Sequence, residues 1–280
     1  MSSHAPTNGT GSVEATLNYL TAMSDRPFSY TYPPPEGRPW QNTSYEAHGV
    51  TIHDARPLGQ EVELDRQGFA LARQVSATSD FYDEEEVRRT YYPEAEALVR
   101  AASAFVFDQT TRRRAAAKPP LDGSRRRDGG TREPVGRVHV DHTVRSGPQR
   151  VRDLMGDGAP DLLRRRFAIV NVWRPIRGPL RDAPLALCDA RSVRAKDLVS
   201  TDLIYPNRVG ETYSVTFNPQ HEWYYFPELA TNEAILIKCF DSEEDGRARF
   251  APHTAFEDPT TPADAAPRES IELRTLAFFD

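Results

Sequence analysis

Cysteine is scarce in this chain: Cys188 and Cys239 are the two present in 280 residues. Two thiols in apolar stretches, with no paired spacing, exclude a disulfide framework and read as reduced core side chains of a cytoplasmic protein. Long apolar runs are lacking too, and none approaches the roughly 20 residues that a membrane-spanning helix requires. Residues 1–12 carry neither a basic n-region nor an apolar stretch, which argues against secretion, and they read as a disordered leader. There is no excess of positive charge. The formal net charge is −6, so nucleic acid is not the expected partner, and a small molecule is. A homodimer stays compatible with this composition.

What is present divides by character. Residues 13–110 hold two predicted strands, at 48–55 and 61–74, and two helices. Asp83-Glu84-Glu85-Glu86 opens the first helix, with acids where the helix dipole favours them. Pro93 suits the first turn of the second, which is expected to run through Phe105. Tyr30 to Trp40 is proline-rich and extended. Residues 111–134 gather eight basic side chains against three acidic ones and almost nothing large and apolar, the composition of a mobile loop. Its place just before His139 also suits a lid that attracts an anion. From 135 onward eight short strands are predicted, at 136–143, 167–175, 185–190, 211–217, 221–226, 234–240, 249–256 and 270–279. One helix at 148–155 interrupts them, ended by Gly156-Asp157-Gly158. The pattern predicts a mainly β fold with flanking helices, a double-stranded β-helix or jelly-roll barrel with an open mouth, in one domain over 13–280.

His139-Val140-Asp141 opens that barrel segment. On a strand, His-x-Asp puts both side chains on one face, because strand side chains repeat every two residues. One more imidazole would complete two histidines and a carboxylate, the ligand set of non-haem iron(II) with positions left open. His253 sits on the predicted penultimate strand and is the first choice; His221 is the alternative. His142 falls on the opposite face. Enzymes with this metal set commonly use 2-oxoglutarate, whose distal carboxylate a guanidinium holds through two parallel hydrogen bonds. Arg268 and Arg274 follow His253 by 15 and 21 residues and share strand parity. If His221 were the ligand, Lys238 would be the cation. His221, Trp223 and Tyr225 alternate on one strand and are candidate substrate contacts, as are Trp173 and Arg174.

Several ordered segments carry a resemblance. They are Gly68-Phe69-Ala70-Leu71, Asp80-Phe81-Tyr82-Asp83, Tyr91-Tyr92-Pro93-Glu94 and His139-Val140-Asp141. They continue as Asn171-Val172-Trp173-Arg174-Pro175, Asp189-Ala190-Arg191-Ser192-Val193, His221-Glu222-Trp223-Tyr224-Tyr225-Phe226-Pro227, Pro252-His253-Thr254-Ala255-Phe256 and Arg268 to Arg274. Taken together, over roughly residues 13–280, the chain resembles the family of gibberellin-desaturase-like proteins and asaB-type hydroxylase/desaturases. That family also holds a cephamycin methoxylation subunit and a fungal meroterpenoid endoperoxide-forming oxygenase. The resemblance implies a double-stranded β-helix, dependence on Fe(II), 2-oxoglutarate and O2, and a small secondary-metabolite substrate. Two other classes remain in play: a helper subunit of a two-component oxygenase, and a cupin-type metalloenzyme independent of 2-oxoglutarate.

Overall fold

Alternation of apolar and polar side chains along extended segments builds most of this molecule, seen here as a computed structural model that describes residues 11–99, 101–119, 121 and 132–280. In chain order the elements are β1 Ser12–Leu20, β2 Phe28–Tyr30, β3 Tyr45–Asp54, β4 Phe69–Arg73, α1 Glu84–Glu86, α2 Tyr92–Val99, β5 Ser103–Arg113 and β6 His139–Val140. They continue with α3 Ser146–Met155, α4 Ala159–Leu162, β7 Phe167–Pro175, β8 Leu185–Cys188, β9 Leu198–Ile204 and β10 Val209–Val215. The last four are β11 Trp223–Tyr225, β12 Glu233–Asp241, β13 His253–Ala255 and β14 Glu269–Phe278. A nine-stranded sheet runs β1-β3-β11-β8-β13-β6-β10-β9-β2, and a five-stranded sheet runs β4-β12-β7-β14-β5. The two sheets curl against each other as the predicted double-stranded β-helix. Among the described residues, no helix is long and apolar enough to cross a membrane.

Strand β7 shows how the layers are held. Phe167, Ile169 and Trp173 point between the sheets and pack with Leu187, Ile235, Ile237 and Leu276. Their alternates Ala168, Val170 and Val172 face outward and pack against Val87, Tyr91, Ala95 and Val99 of the helical segment. Burial on both faces accounts for the nearly unbroken apolar run from Phe167 to Pro175. Each Ile, Val or Phe buried in this way contributes about 1.5–3 kcal/mol. The helical segment begins as expected, with the Asp83 carboxylate accepting from the Glu85 and Glu86 amides.

Several boundaries move. β1 starts at Ser12, inside the stretch read as a leader, of which residues 1–10 lie outside the described residues. Of the strand expected at 61–74 only Phe69–Arg73 forms, preceded by a 3-10 turn over Arg56–Glu61. The second helix stops at Val99, and Phe105 belongs instead to β5, where its neighbours are aromatic and β-branched. β5 runs on through Arg113, so the basic segment begins as sheet; residues 122–131 of that segment lie outside the described residues. Strands β1, β2 and β9 were not anticipated, and the ladder around His139 shrinks to His139–Val140.

Gly68 marks one place where the chain tolerates no side chain. Its φ of +86° lies in the left-handed region, and a Cβ there would approach Ala251 Cβ to 2.9 Å. Replacing Gly68 with Ala is expected to cost about 1–3 kcal/mol, read as a lower midpoint of urea unfolding at unchanged slope.

Candidate metal centre

Register brings the two imidazoles together. β6 and β13 are antiparallel neighbours, and His139 lies directly opposite His253, so both side chains leave the same face. The ring centroids stand 4.5 Å apart. Each ring is fixed by the carbonyl two residues before it: His139 Nδ1 lies 2.9 Å from Arg137 O, and His253 Nδ1 lies 3.0 Å from Ala251 O. A carbonyl can only accept, so each Nδ1 carries a proton and each Nε2 is the nitrogen left to face a metal. Asp141 follows just beyond β6, with Oδ1 3.5 Å from His139 Nε2. Its other oxygen, Oδ2, accepts from Asn171 Nδ2 and from Arg274 Nε, each at 2.9 Å. One potential ligand atom from each of His139, Asp141 and His253 lies within 4.8 Å of the others.

The charge states suit a metal. Burial pushes the His139 pKa down, and the neighbouring His253 adds to this, which favours a neutral imidazole. Burial works against ionisation of Asp141, but Arg274 and then the two histidines outweigh it and hold the carboxyl well below the usual range. Neutral imidazoles and a carboxylate are the forms in which these groups coordinate. Two nitrogens and one oxygen on one side, with the other side open, fit iron(II).

That open side is a cavity of about 1450 Å³ reaching His139, Asp141 and Arg274. The proline-rich stretch supplies Tyr30, Tyr32 and Trp40 to its wall, and β5 supplies Asp108, Thr110 and Arg112. The β5 contribution and the Asn171 bond to Asp141 escaped sequence reasoning. The signal for β5 was the aromatic and β-branched content of Phe105 to Thr111, outweighed by the helical pattern before it.

Residues 17–278 match the family described as Oxidoreductase/YMDC permease-like domain. The hydroxylase/desaturase efuI of Hormonema carpetanum is 32% identical, over 96% of this chain and 95% of its own length. The Fe(II)/2-oxoglutarate-dependent dioxygenase nvfI of Aspergillus novofumigatus is 32% identical, over 89% of this chain and 90% of its own. The solved structure of the iron and alpha-ketoglutarate-dependent endoperoxidase NvfI superposes with a TM-score of 0.84 at 27% identity, covering 97% of this chain and 99% of that one. The chain belongs to this hydroxylase/desaturase family. It is an iron(II)- and 2-oxoglutarate-dependent oxygenase.

Within the oxygenase, the other expected site residues lie elsewhere. His221 is not part of the cluster: its Nε2 is 3.2 Å from Asp197 Oδ2 and its ring stacks on Tyr19. Trp223 donates to the Tyr19 hydroxyl at 2.8 Å, and Tyr225 packs edge-on against Phe256, so both are core rather than substrate contacts. Trp173 is buried between the sheets beneath the Arg268 guanidinium, 4.8 Å from its ring centroid. Arg174 faces outward, donating to the Gln74 and Thr231 carbonyls. Lys238, also on the outer face of its strand, pairs with Asp65 and with Asp241 at 2.8 Å, too far engaged to hold a cosubstrate. Arg274 is turned onto Asp141, Asp108 and Glu272.

Removing the amide that holds Asp141 tests this arrangement. Asn171→Ala is expected to weaken binding of Co(II), an optical substitute for iron, by about 10–100-fold, measured by titration of the ligand-field bands. Lys238→Met is expected to leave Co(II) binding unchanged while costing about 1–3 kcal/mol of stability, because Asp241 loses a buried partner.

Proposed function

We propose that His139, Asp141 and His253 hold the iron, that Arg268 holds the distal carboxylate of 2-oxoglutarate, and that the enzyme oxidises a small secondary-metabolite intermediate. The observation that carries this reading is the pair of Nδ1-tethered imidazoles facing one free carboxylate oxygen. Arg268 lies just before β14 and is buried. It donates to Ser270 Oγ at 3.1 Å and to Ala183 O at 2.9 Å. No carboxylate contacts its guanidinium among the described residues, and burial followed by the charge of Arg112 pushes its pKa down to about 9. A buried cation without an anion is costly, and a dicarboxylate cosubstrate relieves that cost.

When bound, iron(II) with 2-oxoglutarate and O2 supplies the oxidising power to break an unactivated C–H bond. The chain supplies position. Arg137 and Ala251 carbonyls aim the imidazoles, Asn171 and Arg274 keep Asp141 turned to one face, and Arg268 orients the cosubstrate. The wall formed by Tyr30, Tyr32, Trp40 and Phe107 excludes water and sets which substrate hydrogen faces the metal. Hydroxylation, desaturation, cyclisation and endoperoxidation differ in what that wall permits next. The complete triad supports a catalytic role over that of a helper subunit. The two buried, unpaired thiols support a reducing compartment such as the cytoplasm.

His139→Ala, Asp141→Ala and His253→Ala are each expected to reduce substrate-dependent succinate formation to background, whereas His221→Ala retains it; activity in any of the first three sinks the assignment. Arg268→Met should raise the 2-oxoglutarate concentration needed for the anaerobic iron(II) charge-transfer band by about 10–100-fold.

A further inference from the structure

Resting on that reading, we propose that the substrate is an organic acid whose carboxylate is held by Arg150 of α3 with Arg208 beside it. Seven arginines line the cavity. Arg145 pairs with Glu211 at 3.0 Å and Arg274 with Asp141. The remaining five, Arg112, Arg132, Arg137, Arg150 and Arg208, have no carboxylate within ion-pair distance among the described residues. This surplus is local, because the whole chain carries a net charge of −6. An acidic protein that gathers unneutralised guanidinium groups in its reaction cavity presents a place for an anion.

Arg150 is the one of these with a buried, unpaired guanidinium nitrogen among the described residues. Its Nε is buried without a hydrogen-bond partner, and its Cζ lies 5.4 Å from the centroid of the Phe107 ring. Arg208 stacks on Tyr205 at 4.1 Å. Burial and then the charge of Arg208 lower the Arg150 pKa, so the two cations feel each other. The acids that face Arg150 are engaged: Asp153 accepts from Gln149 and Asp108 from Arg274. Each guanidinium is therefore backed by an aromatic face and meets no carboxylate of the described residues at ion-pair distance, which leaves it available to an anion.

The same ring lines one cavity with His139 and Asp141. Phe107 meets the His142 ring edge-on at 6.1 Å, and His142 follows Asp141 directly. A molecule anchored at Arg150 through its carboxylate would lie along Phe107 with its body toward His139 and Asp141. Arg150 and Arg208 thus fix which end of the substrate meets the oxidant.

The test uses full-length protein titrated with benzoate, phenylacetate, hydrocinnamate and phenylbutyrate, each beside its neutral amide, and followed by tryptophan fluorescence. At least one acid is expected to bind about tenfold or more tightly than its amide. Arg150→Met should remove that preference, Arg208→Met should reduce it, and Arg150→Lys should retain part of it. Acids that bind no more tightly than amides, or a preference that survives Arg150→Met, would overturn the proposal. If the preference stands but the wild-type protein gives no iron(II)/2-oxoglutarate band, the metal assignment fails and the anion site remains. If the band forms and the preference is absent, the anion site alone fails.

Discussion

The bond from Arg274 to Asp141 is the contact on which the arrangement depends. The two histidines need only the register of neighbouring strands in one sheet. Asp141 has no such support, since it lies past the end of a two-residue ladder and its backbone is pinned by no partner strand. Asn171 of β7 and Arg274 of β14 reach it from the other sheet and fix which oxygen stays free. The coordination geometry therefore inherits the spacing between the sheets, and that spacing is set by the packing of Phe167, Ile169, Trp173, Ile237 and Leu276. Core packing and metal chemistry are one problem here. The guanidinium of Arg274 holds Asp141, Asp108 and Glu272 together around a single cation.

Local sequence made the centre legible and left much of its surroundings hidden. His-x-Asp spacing, and the place of His253 on the penultimate strand, follow from strand geometry and the order of elements, and the structure brings these residues together. The parity argument for Arg268 and Arg274 was sound, yet parity cannot say which carboxylate a guanidinium meets. Register across β7 and β14 decides that by pairing Arg274 with Asn171. The aromatic run at 223–225 failed as a pocket for a similar reason. Tyr19 of β1 covers it, and β1 was not visible as a strand. The pairing of Lys238 with Asp65, 173 residues away, is a tertiary fact that local sequence does not display. Short strands such as β6, β11 and β13 are defined by their neighbours, so sequence alone overextended them.

Identity near 30% with relatives over nearly the whole length, at a TM-score of 0.84 with a solved neighbour, means that the scaffold is shared while most side chains differ. In such a scaffold the metal cluster is held by backbone carbonyls and cross-sheet bonds, which tolerate drift in the walls. Wall residues on α3 and the stretch from Tyr30 to Trp40 come from segments outside the metal cluster, whereas Asp108 and Thr110 of β5 also bond Arg274 and so reach Asp141 through it.

The two thiols have a last consequence. Cys188 and Cys239 are buried, and burial raises both well above the usual thiol range. Peroxide attacks the thiolate, and neither side chain offers one. An oxidant that enters the cavity therefore meets imidazoles and aromatic rings before it meets either sulfur atom.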